Sequence, residues 1–204
     1  MIWQDPIPIE SLLATSSILP ASFYERDPER VARDLLGKIV VHGRMAGRIV
    51  ETEAYLGLED LAAHASRGLT ARTRVLFGPP GHAYVYLIYG MYECLNLVAE
   101  PEGKDGCVLI RALEPVSGLE RMRKRRPAAR RIEDLCSGPG KLTLAMGITR
   151  ALNGAPVTRG DLTVRAPSAA EAVEIAVSSR IGITQCADWP LRFYVAGNRF
   201  VSKR

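Results

Sequence analysis

The chain is poor in lysine, in histidine and in the cysteine spacings that hold metals. Of its 27 basic residues only five are lysine, and its 204 residues include three histidines and four cysteines. No Cys-x-x-Cys pair occurs, and no two histidines have the spacing of a zinc-binding pair. We therefore expect no metal site, and we expect the cysteines to be reduced, small and buried.

Long apolar runs are also missing. The longest apolar stretch without charge, residues 75–92, is interrupted by Gly78-Pro79-Pro80-Gly81-His82, so it will not cross a bilayer as a helix. No lysine or arginine precedes Arg26, so the basic start of a secretory signal is absent. We expect a cytoplasmic protein that makes no use of a membrane.

The remaining composition is that of a globular protein. Hydrophobic residues make up 47% of the chain and charged residues 24%, and a chain of 204 residues can bury a sizeable core without disulfides. Residues 1–22 are broken by three prolines and hold no long apolar period, which predicts a weakly structured lead. Residues 23–204 are predicted to form a single domain.

The formal charge of +5 is concentrated in one segment. Residues 120–131 contain seven basic side chains and one acid, Glu120. The basic ones are Arg121, Arg123, Lys124, Arg125, Arg126, Arg130 and Arg131. The planar guanidinium of arginine binds phosphate better than the ammonium of lysine does, so the excess of arginine favours a nucleic-acid partner. A GC-rich genome produces the same excess.

Three helices can be placed from their end signals. Residues 27–29 (Asp-Pro-Glu) form an N-cap and first turn, and Gly37 ends that helix. Residues 117–120 have the pattern of a capping box that opens the basic helix, which stops near Pro127. A glycine turn opens the third helix, which spans about residues 138–147.

Alternating and β-rich segments predict strands at residues 38–41, 47–55, 83–89, 91–98, 107–112, 162–165, 173–177 and 191–195. The segments on either side of Gly90 predict a hairpin with Tyr89 at its tip. Pairing that is symmetric about Gly90 sets Tyr84 opposite Asn96 and Tyr86 opposite Cys94. Hairpins between scattered helices predict a single α+β domain with a largely antiparallel sheet.

The strand at residues 47–55 is unusual because Ile49, Glu51, Glu53 and Tyr55 alternate onto one face. A carboxylate beside an aromatic ring is what a pocket needs to activate water next to a flat substrate. Two solvated acids on an exposed face produce the same pattern. His64, a short distance further on, is open to the same two interpretations, a site residue or a structural histidine.

Two further patterns, one of tyrosines and one of glycines, are each open to two interpretations. Tyr84, Tyr86, Tyr89 and Tyr92 lie within nine residues, which suits base stacking and equally suits strand propensity. The glycine turn before Lys141 lacks the spacing of a nucleotide-binding P-loop. Such a turn either receives a phosphate through its backbone amides and the lysine, or merely permits a tight bend.

Five segments taken in order resemble the alkyladenine (3-methyladenine) DNA glycosylase family. They are IVETEAYLG at 49–57, AYVYLIYGMY at 83–92, RALEP at 111–115, CSGP at 136–139 and WPLRFYV at 189–195. The resemblance extends over residues 23–202 without large gaps. It implies an α/β domain built around a curved antiparallel sheet, with a protruding hairpin that enters the minor groove of DNA.

The resemblance also implies a role for each candidate residue. Glu53 matches the general base, and Arg111 matches an arginine near the attacking water. The base-binding residues are implied to be Tyr55, His64, Tyr86 and Asn96, with Asn96 crowding the amino group of guanine. Tyr89 matches the residue that fills the gap left by the extruded nucleotide, and Arg126 and Lys141 fall at phosphate-contacting positions.

The implied activity is that of a monofunctional glycosylase. Such an enzyme extrudes a damaged purine from double-stranded DNA and cleaves its bond to the sugar with water, leaving an abasic site. It needs no metal or organic cofactor, and one copy suffices for one lesion, so we expect a monomer, associated with the nucleoid if the source is bacterial.

Two other functions stay open from the sequence. A bifunctional glycosylase would cleave the strand through a lysine Schiff base, although none of the five lysines falls in the aromatic segments. A non-catalytic protein would bind nucleic acid through the basic stripe between Arg121 and Arg131, with strong salt dependence and no release of bases.

Overall fold

A computed structural model describes residues 4–169 and 172–202 of the chain. The helices in these residues are α1 (Ile9–Ala14), α2 (Pro28–Leu35), α3 (Leu119–Arg125), α4 (Glu133–Cys136) and α5 (Pro139–Met146). The strands are β1 (Ser16–Ile18), β2 (Ile39–His42), β3 (Met45–Tyr55), β4 (Ala83–Ile88), β5 (Tyr92–Val98), β6 (Cys107–Ser117), β7 (Leu162–Pro167), β8 (Ile175–Ser178) and β9 (Arg192–Val195). Short 3-10 turns lie at Ala21–Phe23, Gly57–Glu59, His64–Arg67, Arg74–Phe77 and Arg150–Leu152.

The strands form one sheet in which neighbouring strands run antiparallel. The order is β1-β7-β2-β3-β6-β5-β4, and β9 joins β3 and β8 away from this path. Strand β3 pairs with β6 along most of its length, while β2 covers residues 45–48 of its other edge and β9 takes over at 51–53. The prediction of an α+β domain with a largely antiparallel sheet is confirmed.

The structure contains the predicted hairpin pairing and the predicted end signals of two helices. Strands β4 and β5 pair Tyr84 with Asn96 and Tyr86 with Cys94, as the symmetry about Gly90 predicts. The Asp27 carboxylate accepts from the amides of Glu29 and Arg30 at the start of α2. Helix α5 ends where Gly147 adopts a left-handed backbone.

The face of strand β3 is not the one that simple alternation predicts. The pairing of β3 with β6 shifts register between Ile49 and Glu51, so Val50 is an extra residue in a β-bulge. Ile49 consequently packs in the main core together with Ala54, while Val50 packs in a separate cluster against Phe200. The prediction that Ile49 shares a face with Glu51 and Glu53 is wrong, because a bulge shifts the alternation by one residue.

Residues 4–22 are more ordered than their prolines suggest. In helix α1, Ile9 and Leu12 are buried in a small cluster with residues of β2 and β3, and β1 pairs with β7. The expectation of weak structure therefore does not hold for residues 9–18. Residues 1–3 lie outside the described part of the chain, and the division of the chain at residue 22 stays a prediction.

The start of helix α3 also differs from the capping box predicted at residues 117–120. Ser117 belongs to strand β6, which is longer than predicted, and its hydroxyl makes no cap hydrogen bond. Instead Asp5 reaches across from the N-terminal segment, and its Oδ1 accepts from the amide of Leu119 at 2.8 Å. The cap comes from a residue 114 positions away, which no local pattern reveals.

We predict that Asp5→Ala lowers the free energy of unfolding by about 1 kcal/mol, the size of a lost N-terminal cap. Glu10→Ala is the matched control, because Glu10 pairs with Arg44 at the surface, where both side chains are more than 60% exposed and the pair contributes little. Urea unfolding of both variants measures the difference. Equal stabilities for the two variants would contradict the cap.

Candidate active site

Six of the predicted site residues line one cavity of about 440 Å³ between the β4–β5 hairpin and the ends of β3 and β6. Its walls include the side chains predicted to bind a base, to enter the stack and to assist the water. They are Tyr55, His64, Tyr86, Tyr89, Asn96 and Arg111. Among the described residues, no three His, Cys, Asp or Glu side chains are grouped as a metal would require.

Glu53 lies directly behind this wall and is fully buried. Its Oε1 accepts from the amide of Ile181 at 2.7 Å and lies 3.2 Å from Nη1 of Arg111. Its Oε2 accepts from the hydroxyl of Tyr55 at 3.0 Å. All three partners line the cavity, whereas Glu53 itself does not, so its carboxylate lies directly behind the aromatic wall and away from bulk solvent.

Burial raises the pKa of the Glu53 carboxyl above its ordinary value. The Arg111 guanidinium, the Ile181 amide and the Tyr55 hydroxyl act in the opposite direction, because each stabilises the carboxylate form. A buried carboxylate with a raised proton affinity and three fixed partners is suited to accept a proton from a water molecule in the cavity.

Glu51 holds the arginine that pairs with Glu53. Its Oε1 accepts from Nε of Arg111 at 3.0 Å, from Nε of Arg192 at 2.7 Å and from Oγ of Ser202 at 2.9 Å. Its Oε2 accepts from the amide of Ser202 at 2.7 Å. Both carboxylate oxygens of Glu51 are thus hydrogen-bonded behind the site. Because Glu51 and Glu53 are both buried, the alternative that they are two solvated acids on an exposed face is wrong.

Tyr55 is fixed by a second buried pair that sequence reasoning missed. The guanidinium of Arg180 lies 4.6 Å from the centre of the Tyr55 ring, and it binds both oxygens of Asp60. Both side chains of this pair are fully buried. Arg180 lies in a loop 120 residues from Asp60, and no repeat, periodicity or motif marks it.

His64 stands against the tyrosines of the hairpin. Its ring meets that of Tyr86 edge-on at 4.5 Å, and its Nδ1 is 3.0 Å from the Tyr84 hydroxyl. Nη2 of Arg72 is 3.4 Å from the other ring nitrogen, and a guanidinium can only donate, so Nε2 accepts and Nδ1 carries the proton. Burial, with Arg72 and Arg67, lowers the pKa of His64 to about 4, so the ring is neutral at neutral pH.

Asn96 and Tyr89 occupy opposite ends of the hairpin. Asn96 is 3% exposed, and its Nδ2 donates to the carbonyl of Tyr84 at 3.1 Å. Tyr89 is 77% exposed at the tip, where it and Gly90 both have positive φ and the amide of Met91 donates to the carbonyl of Ile88. The hairpin therefore carries an exposed tyrosine at its tip, at the rim of the cavity, while Tyr84 and Tyr86 lie in the cavity wall.

Arg126 and Lys141 do not line this cavity. They line a neighbouring groove of about 490 Å³, which shares Tyr92, Pro139 and Gly140 with the first cavity. Nη1 of Arg126 donates to the carbonyls of Asp134 at 2.8 Å and Leu135 at 2.9 Å, which ties α3 to α4. Lys141 is exposed, and its Nζ donates to the Ser137 hydroxyl at 3.3 Å.

A family model described as Methylpurine-DNA glycosylase (MPG) matches residues 22–199 of the chain. A protein of Methanoculleus marisnigri is 54% identical over 192 residues, covering 91% of this chain and 99% of that protein. Proteins of Methanocella arvoryzae (54% identical, 92% and 96% covered) and Koribacter versatilis (50%, 94% and 96%) are similar in the same way. All three carry the name "Putative 3-methyladenine DNA glycosylase".

Proposed function

The chain belongs to the methylpurine-DNA glycosylase family, and from this premise we propose that it removes alkylated purines of the 3-methyladenine type from double-stranded DNA. The enzyme turns the damaged nucleotide out of the helix and hydrolyses the bond between base and sugar. It leaves an abasic site and releases the free base. The observation that carries this proposal is the buried carboxylate of Glu53, whose three partners all line one aromatic cavity.

In this mechanism the hairpin tip supplies the wedge. Tyr89 enters the stack in place of the extruded nucleotide and offsets part of the few kcal/mol that unstacking costs. The purine then lies among Tyr55, His64 and Tyr86, whose rings attract a cationic alkylpurine by about 0.5–2 kcal/mol for each good contact. Asn96 limits which purine edge fits.

The reaction itself needs a group that accepts a proton from water and a negative charge that stabilises the positive charge developing at the sugar. Glu53 takes a proton from the attacking water, and its negative charge stabilises the positive charge that develops at C1′ of the sugar. Arg111 holds that carboxylate in place, and the released base leaves with the bonding electrons. Arg126 and Lys141 serve the flanking phosphates, in the groove next to the cavity.

Incubation of the purified protein with duplexes that each contain one modified purine tests this function. Chromatography of the supernatant is expected to show free 3-methyladenine, and alkali is expected to cleave the strand at the abasic site left behind. Release of no base from any alkylated duplex, together with tight salt-sensitive binding to DNA, would overturn the proposal in favour of a non-catalytic binder. Trapping of a covalent adduct with borohydride would instead indicate strand cleavage through a lysine.

A further inference from the structure

The stem of the hairpin, formed by strands β4 and β5, is held on its back by an ion pair that the mechanism above does not use. Tyr92 and Cys94 of β5 line the base-binding cavity, and Glu93 between them does not. Because successive side chains of a strand point to opposite faces, Glu93 lies on the back of the hairpin. Its side chain is 17% exposed, and its Oε1 accepts from the amide of Arg150 at 3.0 Å and from Nε of Arg150 at 3.2 Å. One carboxylate therefore joins β5 to a segment 57 residues further along the chain.

Helix α5 holds the same part of the stem from another direction. Oγ1 of Thr143 donates to the carbonyl of Glu93 at 2.8 Å. A Cβ added at Gly140 would lie 2.8 Å from Cβ of Tyr92, so the first turn of α5 packs directly against that residue. Tyr92 and Glu93 are thus fixed between α5 and the 3-10 turn at Arg150–Leu152.

The first strand of the stem is held next to the same turn, while the tip projects from the protein. Oδ1 of Asn153 accepts from the amide of Val85 in β4 at 3.0 Å. At the tip, Tyr89 is 77% exposed and Met91 is 69% exposed. A Cβ added at Gly90 would meet no atom of the described chain within 4 Å. The direction in which the tip projects is therefore set by the contacts that fix the stem.

On the premise of the proposed function, we propose that Glu93 and Arg150 are positioning residues for the wedge. Their ion pair fixes the stem so that Tyr89 points into the gap left by the damaged nucleotide. Neither Glu93 nor Arg150 lines the base-binding cavity, so both act through the hairpin and not on the reacting atoms. A part that is already ordered loses less conformational entropy when it binds, so a fixed stem lets the wedge offset more of the cost of unstacking.

This role predicts a loss that depends on the substrate. The wedge assists the step that turns the nucleotide out of the helix, and this step costs least when the damaged base is mispaired or lacks a partner. A loosened stem should therefore slow release from a fully paired site and matter less where pairing is already disrupted. The reaction at the sugar stays the same in both cases, because the pocket and Glu53 are unchanged.

The experiment measures single-turnover base release by the full chain from two duplexes of one sequence. Both contain 3-methyladenine, which lies opposite thymine in the first duplex and opposite an abasic-site analogue in the second. Glu93→Ala removes both contacts to Arg150 and is expected to slow release from the first duplex about tenfold, the order of effect for a lost hydrogen bond to a charged group. Release from the second duplex is expected to stay within about threefold of the parent rate.

Glu133→Ala is the matched control. Glu133 is 19% exposed and pairs with Arg199, whose side chain is 64% exposed, so this pair resembles that of Glu93 and Arg150 in burial. It joins the start of α4 to the segment after β9 and not to the hairpin. The control is expected to keep both rates within about twofold of the parent rate.

Fluorescence of 2-aminopurine placed next to the lesion gives an independent readout, because it rises when the neighbouring base leaves the stack. With Glu93→Ala the rise is expected to be slower on the fully paired duplex. A merely structural defect would lower the active fraction and leave the rate of the rise unchanged. Arg150→Ala is the second variant, should Glu93→Ala fail to fold. It keeps the amide contact, so a loss of about threefold with the same dependence on pairing is expected.

An equal loss on both duplexes, or no loss on either, would overturn the positioning role. A loss for Arg150→Ala without one for Glu93→Ala would overturn it as well, since Arg150 would then contact DNA directly. Failure of the proposed function itself gives a different result, because the parent protein would then release base from neither duplex.

Discussion

Glu53→Gln is expected to slow base release by about 10²- to 10⁴-fold, the usual contribution of a general base. The amide cannot take a proton from water, and it carries no negative charge to stabilise positive charge at the sugar. Its carbonyl oxygen still accepts the hydrogen bond of Tyr55 or of the Ile181 amide, and Arg111 keeps Glu51 as a partner. Single-turnover release of 3-methyladenine from a modified duplex measures the loss.

Binding separates this prediction from simple unfolding. The variant should bind a damaged duplex about as tightly as the parent, because the hairpin and the aromatic walls are unchanged. Glu59→Gln is the matched control, an exposed acid six residues further along that should release base at the parent rate. If Glu53→Gln released base normally, the assignment of the general base would be wrong.

Arg180→Ala is expected to lower the free energy of unfolding by about 3–5 kcal/mol, the cost of leaving one member of a buried ion pair without its partner. Asp60 would keep its hydrogen bonds from the amides of Leu56 and Ala62 but would lose the guanidinium that neutralises it. Urea unfolding, followed by fluorescence, gives the value.

The matched control for Arg180 is Arg131→Ala, which breaks a surface pair with Asp134 and is expected to cost less than about 1 kcal/mol. Arg180 also stacks on Tyr55, so residual base release by the folded fraction of Arg180→Ala should fall as well. A loss of stability no larger than that of Arg131→Ala would show that water, and not protein, compensates Asp60.

The hairpin could be predicted in full register because its information is local. A glycine between two β-rich segments and a strict alternation of side chains determine which residues face each other, and Tyr84 and Asn96 do. The ends of helix α2 were equally readable, since Asp27 and Pro28 are adjacent in the sequence and act on the same turn. Signals that act between neighbouring residues are therefore reliable predictors of the structure.

Features that join distant segments could not be predicted. The bulge at Val50 arises from how β3 pairs with β6, so the sequence of β3 alone misplaces Ile49. Asp5 and Arg180 act on partners more than a hundred residues away. The same limit applies to Ser202, whose amide and hydroxyl complete the partners of Glu51 and so help to hold Arg111.

The candidate site also combines features that local signals predict with features that depend on distant segments. Residue type and spacing singled out the tyrosine-rich segment and the acidic strand but left each open to two interpretations, and it was the resemblance to a family that favoured a site and Glu53 as its acid. That acid, Glu53, accepts from the loop that carries Ile181, and its neighbour Glu51 accepts from Ser202 near the far end of the chain; neither segment has a pattern of its own.

Tyr89 shows that the hairpin tip is not optimised for folding. Its φ of 53° lies in the left-handed region, where asparagine or glycine would sit with less strain, and its ring is largely in water. On the proposed function, the large aromatic residue at this position costs about 1 kcal/mol of folding stability in exchange for a wedge that enters the DNA stack.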